Sequence, residues 1–216
     1  DTCARILADA YAFAPVAFAD ALRQELALAF GISPQQLSNR ATKEHPMPAL
    51  CLRYALDRRF VELMRSLGED LMRPRSPRAV MQLWGTQYRR ALDGDNYWLL
   101  RLHEEIEALQ RQGWRRIAVS DVRFLNEAGF VREMGGSIWR IHRRAADEMA
   151  AAHSSEAEVG QITPDHCLQN DGSVNALVYD VLCAYEQTLF LNGPGRSKPE
   201  PIAGIFHADD STPAAR

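Results

Sequence analysis

Residues 116–127, with the sequence RIAVSDVRFLNE, carry the clearest fold signal in the chain. Their first five residues are mostly apolar, follow the glycine at 113 and predict a buried strand that ends at Ser120. Residues 127–134 then predict a helix, which Gly135 and Gly136 close. A strand, a short polar turn and a helix in this order are the unit of mostly parallel sheets. The stretch therefore predicts an α/β fold.

The same alternation continues toward both ends of the chain. Further strands are predicted at 15–19, 138–141 and 167–170, and helices at 2–12, 20–30, 52–72, 78–92, 97–112 and 174–189. Residues 33–48 contain three prolines and predict a surface loop or lid. Residues 192–216 are rich in Pro, Gly, Ser and charge, and predict a disordered tail. The pattern predicts a mostly parallel sheet with helices on both faces.

Composition excludes several classes of protein. The 216 residues carry 25 basic and 28 acidic side chains, a net charge of −3, which argues against a nucleic-acid coat protein. No stretch approaches the roughly 20 apolar residues of a membrane helix, and no secretory signal is visible. The four cysteines form no C-x-x-C pair and predict free thiols in a reducing compartment. Only Lys43 and Lys198 are lysines; the many arginines reflect a GC-rich genome or serve as phosphate ligands.

Polar clusters follow three of the predicted strands, where parallel sheets bind their ligands. They comprise Asp20 with Arg23, then Asp121, Arg123, Asn126 and Glu127, and finally Arg140, Arg143 and Arg144. Asp121 could hold Mg²⁺ through water or orient a nucleophilic oxygen, and Arg123 could grip a phosphate with two hydrogen bonds. Capped turns with surface ion pairs and a solvated basic loop are the structural alternatives.

Residues 82–90, QLWGTQYRR, place Trp and Gly side by side within a helical pattern. Glycine destabilises a helix by about 1 kcal/mol relative to alanine, so its presence suggests close approach by a ligand or another backbone. Trp84 could stack on a base, and Arg89 or Arg90 could reach a phosphate. The alternative is a tight helix crossing with Trp84 in the core.

In order, the motifs F-A-D-x-L-R, Q-x-W-G-T, D-x-x-W, S-D-V-R-F-x-N-E, H-x-S-E and N-D-G resemble those of the phage and bacterial deoxynucleoside monophosphate kinases. The resemblance runs from residue 1 to about 189. It implies a P-loop kinase-like three-layer fold over residues 1–191, with a helical monophosphate-binding insertion at 33–95. It also implies transfer of the γ-phosphoryl group of ATP, with Mg²⁺, to a deoxynucleoside monophosphate in the cytoplasm of a bacterium or infected cell. Neither a nucleic-acid polymer nor a membrane is an implied partner, and such kinases include monomers and homodimers.

The resemblance also assigns roles to residues. Those it places at the acceptor nucleotide are Asp20, Arg23, Trp84, Gly85, Thr86, Arg89, Trp98, Asn126 and Glu127. Those it places at the transferring phosphates are Asp121, Arg123, Arg140, Arg143 and Arg144, with Asp1 and Thr2 near ATP. Thr2 and Asp121 are the candidate Mg²⁺ contacts.

One feature of the resembled family has no counterpart in the sequence. These kinases open with a strand and a glycine-rich loop ending G-K-D-T or similar, whereas this chain begins D-T-C. We therefore expect the chain to start just after that loop and to be inactive, or nearly so, as it stands. Two alternatives stay open: a non-catalytic nucleotide-binding module, and a kinase for another acceptor such as dephospho-coenzyme A.

Overall fold

The computed structural model describes residues 2–143, 158–191 and 202–207; for 190, 191 and 202–207 only the backbone is described. The chain divides into two compact units. The sheet unit comprises the residues up to Phe18 and from His103 onward, and the helical unit comprises Ala19–Leu102. The insertion predicted at 33–95 lies within the helical unit.

The sheet unit is built on five parallel strands. They are β1 (Ala14–Ala17), β2 (Ile117–Ser120), β3 (Ser137–His142), β4 (His166–Gln169) and β5 (Ile202–His207), in the spatial order β1-β2-β5-β3-β4. Val16 lies beside Val119, and Trp139 lies beside His166. The prediction of a mostly parallel sheet is confirmed, with the four predicted strands displaced by about one residue.

Strand β5 lies within the segment predicted as a disordered tail. Its backbone pairs with β2 from Ile202 to Gly204 and with β3 from Ala203 to His207, so it occupies the centre of the sheet. Pairing on both sides supplies the strand conformation that local composition does not indicate. The rest of residues 192–216 lies outside the described residues.

Helices cover both faces of this sheet. On one face, α1 (Thr2–Tyr11) and α9 (Val174–Leu191) share a buried cluster with Ala118, Trp139 and Ile141. The alternate residues Val119 and Ile138 are also buried, and α8 (Leu125–Glu133) contacts β3 and β5. All four residues of β2 are buried because both faces of this strand are covered. Within the described residues, no helix has the length and apolarity needed to cross a bilayer.

The helical unit differs from the predicted helices in its middle. Its helices are α2 (Phe18–Phe30, which begins in the sheet unit), α3 (Pro34–Ser38), α4 (Arg58–Ser66), α5 (Pro77–Gln82), α6 (Ala91–Asp93) and the start of α7 (Tyr97–Arg111). The single helix predicted at 52–72 is wrong: short 3₁₀ turns occupy 48–50 and 52–54 before α4 begins. Asp57 starts α4 by accepting a hydrogen bond from the Phe60 amide, and Gly68, at φ +78°, follows its end.

A π-helix interrupts the helix predicted at 78–92. Ser76 caps α5, after which Leu83–Arg90 adopts the wider π-helical hydrogen-bonding pattern before α6. This π-helix holds the W-G-T-Q-Y-R-R stretch. Helices of the π type are rare, and they frequently occur at functional sites.

Candidate functional site

In the sheet unit, the candidate site is the turn that follows β2. Asp121 is the first residue after the strand and has φ +62°, a left-handed conformation that residues other than glycine rarely adopt. Strained backbone of this kind concentrates at functional sites. The turn predicted to hold a phosphate or Mg²⁺ therefore has an unusual, fixed conformation.

Two carboxylates hold this turn by its backbone. Glu127, only 3% exposed, accepts hydrogen bonds from the amides of Arg123 at 2.7 Å and Phe124 at 3.2 Å. Glu158 accepts one from the Leu125 amide at 3.1 Å. Three consecutive amides are thereby satisfied at the start of α8, where negative charge is also favoured by the helix dipole.

These contacts revise the predicted role of Glu127. Its carboxylate is buried and engaged by backbone amides, so it holds the turn rather than contacting an acceptor nucleotide. Arg123 itself is half-buried and is anchored through its own amide. Asn126 is half-buried in the first turn of α8.

Arg140 also differs from its predicted role at the transferring phosphates. From β3, its Nη2 donates to the carbonyl oxygens of Val159 at 2.8 Å and Ile162 at 2.6 Å. The guanidinium therefore fastens the turn at residues 158–162, which also carries Glu158. Arg143 is exposed just beyond β3, whereas Asp1 and Arg144 lie outside the described residues. Thr2 is half-buried as the first residue of α1.

In the helical unit, α2 carries the predicted pair Asp20 and Arg23. Their side chains form an ion pair, with 2.6 Å between Arg23 Nη1 and Asp20 Oδ1. Both side chains keep solvent access, 40% for Asp20 and 23% for Arg23. The three-residue spacing thus brings them together as predicted.

Trp84 belongs to the core of the helical unit. It is 1% exposed, and its ring centroid lies 4.6 Å from that of Phe60 and 5.1 Å from that of Tyr88. Stacking of Trp84 on a nucleotide base is therefore ruled out in this conformation, and Trp84 lies in the core, as the structural alternative predicts.

The other predicted members of this pocket are buried or half-buried. Trp98 is buried and donates from Nε1 to the Gly85 carbonyl at 3.1 Å. A methyl group on Gly85 would come no closer than 3.6 Å to the Leu22 side chain, so no close backbone approach explains this glycine. Thr86 is half-buried in the π-helix.

Glu25 is the centre of a polar cluster that the sequence does not reveal. Its side chain is 13% exposed, and its Oε2 accepts from Trp84 Nε1 and from Arg89 Nε, each at 2.8 Å. Its Oε1 accepts from the Tyr97 hydroxyl, and Arg101 Nε lies 3.9 Å away. The buried charge is acceptable because it is paired and hydrogen-bonded.

Arg89 is held on two sides of its guanidinium. Besides the bond to Glu25, its Nη1 donates to Asp93 at 3.0 Å, and Asp93 also pairs with Arg59 at 2.7 Å. Burial lowers the pKa of Arg89, but the bonds to Asp93 and Glu25 raise it more. Burial raises the pKa of Asp93, but the bonds from Arg59 and Arg89 bring it below its ordinary value. Both groups are therefore charged at neutral pH.

Tyr97, which contacts Glu25, and Tyr88, whose ring lies against Arg89, are expected to make the stability of the fold sensitive to high pH. Burial, and then the bond to Glu25, raises the pKa of Tyr97 from 10.0 to about 12; burial and Asp57 do the same for Tyr88. A raised pKa stabilises the folded state fully below pH 10, and this contribution is lost as the pH rises toward 12.

We expect the free energy of unfolding to fall between pH 10 and 12, and to fall less steeply in Tyr97→Phe. Urea unfolding at pH 9 and pH 11 measures this difference. Tyr54→Phe is the control, because Tyr54 is exposed and outside the cluster. If the free energy of unfolding falls equally between pH 9 and pH 11 in Tyr97→Phe and Tyr54→Phe, Tyr97 does not have the raised pKa assigned to it.

The sequence profile of the deoxynucleotide monophosphate kinase family matches residues 57–181, more than half of the chain. The chain belongs to this family. A protein of Acanthamoeba polyphaga mimivirus, named "Putative deoxynucleotide monophosphate kinase", is 26% identical over 205 residues, covering 88% of this chain and 92% of that protein. No solved structure matches the chain.

Membership of the deoxynucleotide monophosphate kinase family confirms the resemblance and makes the chain a phosphotransferase of deoxynucleotide metabolism. The matched region contains the π-helix and the turn after β2, whereas Asp20, Arg23 and Glu25 precede it. Across the described residues, no three His, Cys, Asp or Glu side chains converge as a metal site.

Proposed function

We propose that the chain transfers the γ-phosphoryl group of ATP to a deoxynucleoside monophosphate, giving the diphosphate. The observation that carries this proposal is the family match, which includes the turn after β2 and the π-helix. Phosphoryl transfer depends on positioning and charge neutralisation rather than on covalent chemistry by side chains. Two arrangements in the structure suit that task. Glu127 and Glu158 hold the turn after β2, and Glu25 and Asp93 hold the guanidinium of Arg89.

Magnesium fits the oxygen donors that this proposal uses. Mg²⁺ prefers a few hard oxygen ligands and keeps several waters, so it needs no cluster of protein side chains. The hydroxyl of Thr2 and the carboxylate of Asp121 are the proposed contacts, direct or through water. When bound, the ion supplies neutralisation of the phosphate charge. Asp121 would orient the bound group, and Arg123 would bind a phosphate oxygen.

A second candidate function is binding of a deoxynucleoside monophosphate without transfer. It is favoured by one observation: the 216 residues contain no G-x-x-x-x-G-K-[ST] sequence, the usual cradle for the ATP phosphates. Lys43 lies in the helical unit, between α3 and the first 3₁₀ turn, and Lys198 lies outside the described residues.

One pair of measurements separates the two candidates. The purified chain is incubated with Mg²⁺, ATP and each of the four deoxynucleoside monophosphates, and the diphosphate is quantified by ion-exchange chromatography. Calorimetry measures the binding of the same monophosphates, and dephospho-coenzyme A tests the alternative acceptor. Formation of a deoxynucleoside diphosphate supports transfer, and binding without product supports the second candidate. No binding and no product with a folded chain would reject both.

Arg123→Lys is expected to weaken monophosphate binding, and transfer where it occurs, by about tenfold or more. Lysine keeps the charge but loses the planar fork that can bind two phosphate oxygens. Calorimetry on the variant measures the loss. Arg115→Lys is the matched control, because Arg115 is exposed just before β2. If both variants bind like the parent chain, Arg123 holds no phosphate.

A further inference from the structure

Glu25 joins three elements of the helical unit through one carboxylate. From α2, it receives hydrogen bonds from Trp84 and Arg89 of the π-helix and from Tyr97 of α7. Trp84 and Arg89 share Oε2, whereas Tyr97 takes Oε1. The carboxylate therefore connects a buried indole to a partly exposed guanidinium.

Within this cluster, the plane of the Arg89 guanidinium is fixed on every side but one. Nε is bound to Glu25, and Nη1 is bound to Asp93. The central carbon lies 4.6 Å from the ring centroid of Tyr88 and 4.9 Å from that of Tyr97. Among the described residues no acceptor meets Nη2, and the side chain retains 19% exposure. Nη2 is thus the guanidinium nitrogen of Arg89 that remains for an anion.

We infer that Glu25 is a positioning residue, which aims the Nη2 edge of Arg89 at the phosphate of the acceptor monophosphate. This inference rests on the proposed binding of a monophosphate, and it assigns Glu25 no contact with the ligand. An arginine whose Nε and Nη1 each already donate to a carboxylate has little freedom left to lose when a phosphate arrives. Pre-organisation of this kind increases affinity by lowering the entropy cost of binding.

The chemistry of the carboxylate predicts different behaviour for two substitutions. Glu25→Ala removes all the hydrogen bonds and frees Arg89 to turn toward Asp93 alone. In Glu25→Gln, the amide oxygen can still accept from Trp84 and Arg89, while the Tyr97 hydroxyl accepts from the amide nitrogen. The glutamine variant is therefore expected to recover part of what the alanine variant loses.

The test compares a deoxynucleoside monophosphate with the nucleoside that lacks its phosphate. Calorimetry on the full chain is expected to show that Glu25→Ala weakens monophosphate binding about tenfold or more, with nucleoside binding unchanged. The affinity of Glu25→Gln for the monophosphate should lie between that of the alanine variant and that of the parent chain. Glu62→Ala is the matched control, because Glu62 is exposed on α4. A role limited to structure would weaken both ligands equally.

If Glu25→Ala loses equal affinity for the monophosphate and the nucleoside, or loses affinity for neither, Glu25 is not a positioning residue for Arg89. A parent chain that binds no monophosphate at all would instead reject the proposed function, and the inference would fall with it. Absorbance at 295 nm gives a second readout without ligand: the pKa of Tyr97 should fall below about 12 in Glu25→Gln. An unchanged tyrosine titration would show that Glu25 does not hold the cluster, even where the alanine variant fails to fold.

Discussion

Ending the chain at Leu191 is expected to unfold the sheet unit. This truncation removes β5, which pairs three of its residues with β2 and five with β3 at the centre of the sheet. At a net value of about 1 kcal/mol for each hydrogen bond, the lost pairing approaches the roughly 5–15 kcal/mol by which whole domains are stable. The empty position would also leave β2 and β3 as facing unpaired edges, which promote aggregation.

Thermal unfolding followed by circular dichroism, with size-exclusion chromatography, measures this effect. The control is a chain that ends at His207, which keeps all of β5. A point substitution provides an independent check: Ile205→Pro removes one backbone donor from a central strand, whereas Ile205→Val keeps it. If the chain ending at Leu191 melts with the cooperativity and midpoint of the full chain, β5 does not belong to the sheet.

Among the strands that the sequence predicts, β2 has the clearest local signal, because it is a short, mostly apolar run buried on both faces. Residues 117–120 are entirely buried in the structure, and a local window is enough to recognise such a run. For β5, the same window contains glycine and follows a segment rich in proline, so composition indicates a tail. Residues 202–207 form a strand because they pair with β2 and β3. A local sequence pattern carries no information about such pairing partners.

The helical unit shows a different limit of local prediction. Apolar residues recur at helical spacing throughout residues 52–72, but spacing does not say where one helix stops and another starts. The Asp57 cap and the glycine at 68 decide those boundaries. Likewise, the 78–92 pattern indicates a helix without indicating that its middle is a π-helix.

For the site, sequence reasoning found residues close together in the chain and missed those brought together by folding. Asp20 and Arg23 are three residues apart and form the predicted pair. Glu25 meets partners 59 to 72 residues away, which no spacing rule predicts. A signal was nevertheless present, because Glu25 lies among Leu22, Leu26 and Ala29 on the apolar face of α2. An acid in such a stripe requires a buried partner.

Glu127 follows the same rule on α8, and its removal is the second large effect we expect. Ala128 and Val131, which lie near it on α8, are buried, and the carboxylate of Glu127 is buried with them. In Glu127→Ala the amides of Arg123 and Phe124 lose their acceptor, and each buried unsatisfied group costs about 1–3 kcal/mol. We expect the free energy of unfolding to fall by roughly 2–4 kcal/mol.

The turn after β2 should respond to Glu127→Ala more than the rest of the sheet does. Hydrogen exchange at the amides of Arg123 and Phe124 is expected to accelerate before that of β2, because both of these donors lose their acceptor. Glu133→Ala is the matched control, since Glu133 is exposed at the end of α8 and should change stability by less than about 0.5 kcal/mol. Identical melting and exchange in the two variants would show that Glu127 does not hold the turn. Faster exchange at the turn, together with weaker monophosphate binding, would instead tie the geometry of Arg123 to a carboxylate that never touches the ligand.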